Sequence, residues 1–78
     1  MDRQTLERHL VEADEHILVG QRNIDRQRTI IANLERDGHD SVGARTILQT
    51  FEALQSLQLQ ERDALARHLL DLARPKSV

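Results

Sequence analysis

The stretch Asp37-Gly38-His39-Asp40-Ser41 is the only interior cluster of helix-breaking residues in this 78-residue sequence. Gly38 suits the left-handed backbone conformation that commonly follows the C-terminus of a helix. Asp40 or Ser41 can accept hydrogen bonds from the free amides that open the next helix. The stretch therefore predicts that one helix ends near Asp37 and that another begins near Ser41.

The segments on both sides of this stretch carry apolar residues with helical period. In the first segment, two rows alternate at spacings of three and four, and they comprise Leu6, Leu10, Ala13, Ile17, Gly20, Ile24, Gln27, Ile31 and Leu34. In the second, the same spacing selects Ile47, Phe51, Leu54, Gln58, Glu61, Leu65, His68 and Leu72, widened by Leu48 and Leu69. This pattern is typical of the seam of a coiled-coil-like helix pair.

A short connection makes neighbouring helices antiparallel. The sequence therefore predicts a single all-α domain over residues 1–78, an antiparallel two-helix hairpin. Its parts are a helix over about residues 3–37, a turn at 38–40, a helix over about 41–74 that Pro75 stops, and a short tail at 75–78. Residues that face each other should have numbers that add to about 78.

Apolar residues remain outside the seam, and we interpret them as a candidate dimer face. They are Val19, Ile30, Leu48, Leu59 and Leu70. A chain this short has a small core, and the absence of cysteine excludes a disulfide. We therefore expect two hairpins to pair into a homodimeric four-helix bundle that buries this face. The alternative is a monomeric hairpin.

The middle of the predicted hairpin is unusually polar, and we call it the polar waist. It comprises His16, Gly20 and Gln27 on the first helix and Gln55, Gln58, Glu61 and Arg62 on the second. One interpretation is structural, since buried amides and an ion pair penalise sliding of one helix along the other. The other is a small polar site or a hinge for a partner. We favour the structural interpretation.

Composition excludes several classes of function. A net charge of −2, from 13 acidic and 11 basic residues, argues against nucleic acid as the main partner. No apolar run approaches the roughly 18 residues expected of a membrane span, and no apolar signal core follows Met1. We therefore expect a cytoplasmic protein that binds no nucleic acid or membrane. No glycine-rich phosphate loop is present, and we expect no cofactor.

The histidines raise two further hypotheses. The first is metal binding, because His9, Glu12 and His16 are spaced to lie on one helix face, as are His68 and Asp71. The Glu-x-x-His order of di-iron bundles is, however, missing from the sequence. Histidine-kinase dimerisation domains are also paired hairpins, yet their phosphorylated histidine is typically followed by an acidic residue. Of the helical histidines none has that neighbour. A metal-binding or histidine-phosphotransfer bundle is therefore the alternative hypothesis, and we expect no enzyme.

The chain also resembles a group of short alphaproteobacterial proteins that have no established activity. The similarity covers about residues 9–65, and it is carried by His16-Ile17, Gly20, Ile24, Gln27, Ile30-Ile31, Leu34, Gly38-His39-Asp40, Leu48 and Phe51-Glu52. In that group the positions of Gln58 and Glu61 are often histidine. The resemblance implies a helical hairpin in a bacterium and transfers no site residues. The leading expectation is a non-enzymatic interaction or regulatory module that binds an unidentified protein partner.

Overall fold

The computed structural model describes residues 2–74, and over these residues the chain is two α-helices packed against each other. Helix α1 spans Arg3–Arg36 and helix α2 spans Val42–Ala73, and no strand occurs between residues 2 and 74. The predicted all-α hairpin is confirmed. The helices end one residue short of the expected bounds on either side of the turn. The expected stop at Pro75 and the tail at 75–78 lie outside the described residues.

The turn is closed by backbone hydrogen bonds around Gly38. Its φ of 75° is left-handed, its N–H donates to the Glu35 carbonyl at 3.1 Å, and the N–H of His39 donates to the Leu34 carbonyl at 2.8 Å. This pair of bonds satisfies carbonyls that the last turn of α1 would otherwise leave free. At the start of α2, Asp40 Oδ1 accepts the backbone N–H of Val42 at 2.9 Å. Of the two candidate caps, Asp40 therefore provides this bond.

Helix α1 begins with a similar side-chain cap. Asp2 Oδ1 accepts the backbone N–H of Thr5 at 2.7 Å. This hydrogen bond favours the ionised carboxylate, so it lowers the pKa of Asp2 below its usual range. The cap fixes the start of α1 at Arg3.

The seam of α1 follows the expected rows, and the seam of α2 follows them in part. Leu6, Ile24 and Ile31 are buried. On α2 the buried and half-buried residues are Ala44, Leu48, Phe51, Gln55, Gln58, Leu65, Ala66 and Leu69. Ile47, Leu54 and Leu72 were expected in the seam but are about half exposed. Phe51, Gln58 and Leu65, with Leu48 and Leu69, lie in the seam as expected. The expectation was wrong at Ile47, Leu54 and Leu72, because α2 carries apolar residues on several sides and periodicity alone selects no single row.

The alignment of the helices is close to the expected one. Interhelical partners such as Gly20 and Gln58, Asp14 and Arg62, or Gln27 and Ala44 have numbers that add to between 71 and 80. The spread reflects long side chains that reach along the helix axis. The hairpin measures 66 × 18 × 15 Å. Across residues 2–74, neither helix contains a stretch long and apolar enough to cross a bilayer.

We predict that the two glycines flanking the start of α2 respond oppositely to alanine. Gly38→Ala should destabilise the hairpin by about 1 kcal/mol, because an L side chain is strained at positive φ. Gly43→Ala should stabilise it by up to about 1 kcal/mol, since the position is helical and open and alanine has the higher helix propensity. Urea unfolding followed by circular dichroism measures both. Changes of the same sign would contradict this account of the turn.

Candidate functional site

Two buried glutamines cross-link the helices in opposite directions. Gln27, which is 7% exposed, donates from Nε2 to the Ala44 carbonyl on α2 at 2.9 Å. Gln55, which is 6% exposed, donates from Nε2 to the Ile17 carbonyl on α1 at 2.8 Å. Each bond ties one side chain to a particular backbone carbonyl of the other helix. The polar waist therefore fixes alignment in a way that interchangeable leucine rows do not.

Gly20 lies directly against the amide of Gln55. A Cβ added to Gly20 would overlap Gln55 Oε1, and it would lie 2.9 Å from Gln55 Cδ and 3.3 Å from Gln58 Oε1. Both Oε1 atoms are buried without a hydrogen-bond partner. A buried acceptor left unpaired costs about 1–3 kcal/mol. The two helices therefore approach each other at Gly20 in a way that only glycine permits.

The structure brings together only part of the predicted waist. Gly20, Gln55 and Gln58 meet between the helices, and Gln27 crosses the interface closer to the turn. His16 and Glu61 are exposed beside this contact. Arg62 belongs to the opposite side of the hairpin, where its Nε donates to Asp14 Oδ1 at 2.8 Å. The waist is thus a narrow amide contact with a wider polar groove next to it.

That groove is open and has a volume of about 260 Å³. Its lining consists of His9, Glu12, Ala13, His16, Gln58, Glu61 and Leu65. A smaller cavity of about 60 Å³ adjoins it at Gln58, and Gly20, Asn23, Phe51, Leu54 and Gln55 complete its lining. Residues spaced seven apart lie on the same side of a helix, so this side of the hairpin can be followed along both helices. We call it the groove face, with the rows His9, His16, Asn23 and Ile30 on α1 and Ile47, Leu54, Glu61 and His68 on α2.

The opposite side carries the ion pairs that join the two helices. They connect Arg62 to Asp14 at 2.8 Å, Arg28 to Glu52 at 3.3 Å, and Arg45 to Glu35. An open depression of about 340 Å³ lies on this side, lined by Asp14, Ile17, Leu18, Leu59 and Arg62. We call this side the ion-pair face. The two faces of the hairpin therefore differ in their contacts between the helices, since the three ion pairs all lie on one of them.

The five residues of the predicted dimer face do not share one surface. Val19 and Ile30 lie toward the groove face, as their helical spacing from Asn23 requires. Leu59 lines the depression on the ion-pair face, and Leu70 follows it eleven residues later. Leu48 is half-buried in the seam. The hairpin places them on different sides because an eleven-residue recurrence drifts around the helix relative to a seven-residue seam. That these residues take part in dimerisation stays a prediction.

The groove face also carries the residues of the first helix that the metal hypothesis considers. His9, His16, Glu12 and Glu61 all line the same groove. Between residues 2 and 74, however, no three histidine, aspartate or glutamate side chains are grouped so that they could hold one metal ion. His68 and Asp71, the other predicted pair, are exposed near the end of α2.

Comparison with known proteins adds no further assignment. The chain matches no protein family, and neither curated proteins nor solved structures give a match. The resemblance to the short alphaproteobacterial proteins therefore stays a prediction.

We predict that alanine at Gly20 changes sign in its effect when Gln55 is removed. In the native chain Gly20→Ala should destabilise the hairpin by about 1–3 kcal/mol, because the new Cβ displaces the Gln55 amide from its bond to Ile17. In a Gln55→Ala background, the same change should stabilise by up to about 1 kcal/mol through helix propensity. A double-mutant cycle in urea unfolding measures the difference. Equal effects in both backgrounds would refute the contact.

Proposed function

We propose that the chain is a non-enzymatic protein-interaction module that works as a homodimer of helical hairpins, forming a four-helix bundle. The observation that carries the proposal is its surface area. The chain exposes 6169 Å² at a mass of 9.0 kDa, whereas a compact monomer of that mass exposes about 4,900 Å². The excess of about 1,300 Å² exceeds the roughly 800 Å² that each partner buries in a standard interface.

The composition of the exposed surface supports the same conclusion. Only Leu6, Ile24 and Ile31 are buried apolar side chains among residues 2–74. Many other large apolar residues are more than 40% exposed, and they are Val11, Leu18, Val19, Ile30, Val42, Ile47, Leu54, Leu57, Leu59, Leu70 and Leu72. Burying such residues is the main favourable contribution to association. A second copy of the chain is present wherever the protein is, so it is the partner that is always available to cover these residues.

The proposal also covers the setting in which the dimer works. We infer that it acts in the bacterial cytoplasm and that it binds or regulates a further protein. A near-balanced charge and two amphipathic helices support a protein partner over a nucleic acid.

A second candidate function rests on the groove. His9 and His16 share it with Glu12 and Glu61, and imidazole and carboxylate groups are ligands for divalent transition metals. A bound ion would have to draw these side chains together, because they are not grouped to hold one ion in the hairpin. An imidazole nitrogen can also accept a phosphoryl group. Elemental analysis of protein purified without chelator tests the metal hypothesis. Labelling of wild type but not of His16→Gln by a phosphodonor would support phosphotransfer, and equal labelling would remove His16 from consideration.

We predict that sedimentation equilibrium at micromolar concentration gives twice the 9.0 kDa mass of the chain. Dilution should lower the melting temperature, because a dimer dissociates by mass action. A concentration-independent 9.0 kDa species would contradict the proposal.

A further inference from the structure

We propose that the second copy docks on the groove face and that the ion-pair face remains in solvent. This inference rests on the proposed homodimer and adds which surface forms it. Both faces carry exposed leucines, so hydrophobicity alone does not distinguish them. The location of the ion pairs between the helices does.

Docking on the ion-pair face would strip water from three charged pairs. The side chains in the pairs of Arg62 with Asp14, Arg28 with Glu52 and Arg45 with Glu35 are 44–57% exposed. Taking paired charges out of water costs free energy, and this cost is often larger than the gain from their mutual attraction. In solvent the same pairs keep their hydration. The ion-pair face is therefore suited to remain exposed.

Docking on the groove face would strip water from no ion pair between the helices. Among the described residues, none of those pairs lies on this side. Val19, Leu54 and Leu57 are 51–62% exposed, and uncharged Asn23 lies beside them. These four residues are within one helical turn of the midpoints of the helices Arg3–Arg36 and Val42–Ala73. In a centred face-to-face dimer with both turns at the same end, they lie at the same height as their counterparts.

The titratable groups of this face border its apolar residues on one side. His9, Glu12, His16 and Glu61 line the groove, which extends from the waist toward the open end of the hairpin. Protein interfaces commonly combine an apolar centre with a polar, solvent-accessible rim. The groove face has such a division, with exposed Val19, Leu54 and Leu57 next to a groove that carries the titratable side chains.

The test compares two leucines of α2 that lie on opposite faces. Leu54→Glu changes the groove face and Leu59→Glu the ion-pair face, and the two side chains are 52% and 43% exposed in the hairpin. By sedimentation, Leu54→Glu should weaken the dimer at least about 100-fold, because both copies bring the charge into the interface. Leu59→Glu should leave the dimer intact. Circular dichroism checks that each variant stays helical.

A second measurement remains informative if Leu54→Glu unfolds. The native chain has no cysteine, so Leu57→Cys on the groove face and Leu70→Cys on the ion-pair face each supply a single thiol on a side chain that is 62% exposed in the hairpin. Above the dissociation constant, the thiol of Leu57→Cys should react with a maleimide at least about 10-fold more slowly than that of Leu70→Cys, because exclusion of the reagent follows burial. On dilution the two rates should converge.

The outcomes distinguish a wrong docking face from a wrong homodimer. If Leu59→Glu dissociates the dimer and Leu54→Glu does not, or if the thiol of Leu70→Cys is the protected one, the homodimer stands and the docking face is wrong. If the wild-type chain is a monomer at every concentration tested, the homodimer itself is wrong.

Discussion

The hydrogen bonds of Gln27 and Gln55 across the helix interface are the constraint on which the rest of the structure depends. Leucine and isoleucine rows tolerate sliding by a turn, because one apolar contact replaces another. A buried amide does not, since each sliding step removes its carbonyl partner and leaves a polar group unpaired. With the amides bonded to Ala44 and Ile17, the heights of both helices are set. Gly20 then has to be small, and the groove beside it opens between His16 and Glu61.

The turn and α1 could be predicted from sequence because their signals are unambiguous. Gly38 is the only interior glycine next to a run of helix-capping residues, and its positive φ confirms the role assigned to it. The rows of α1 contain all of its buried residues, although Val11, Leu18, Val19 and Ile30 are exposed outside them. The waist was recognisable from Gly20, which has no reason to occupy the middle of a helix unless another group approaches closely.

The inward side of α2 could not be predicted in the same way. Leu48, Leu54, Leu59 and Leu65 point in different directions around the helix, so several seams fit the spacing equally well. What selects the correct one is a contact with the other helix, the fit of Gln55 against Gly20. Such a fit depends on two distant segments together. A pattern read along one helix does not contain it.

The closeness of the turn to the first cross-link has a consequence for the order of folding. The bond from Gln27 to Ala44 spans 17 residues and that from Gln55 to Ile17 spans 38. Short loops cost less entropy to close than long ones, and chains dominated by local contacts fold fast. The hairpin should therefore form from its turn outward, with Gln27 bonded before Gln55 can be. Each step brings the next pair of facing residues together. The alignment of the helices is therefore set near Gly38, and it determines which residues face each other at the open end.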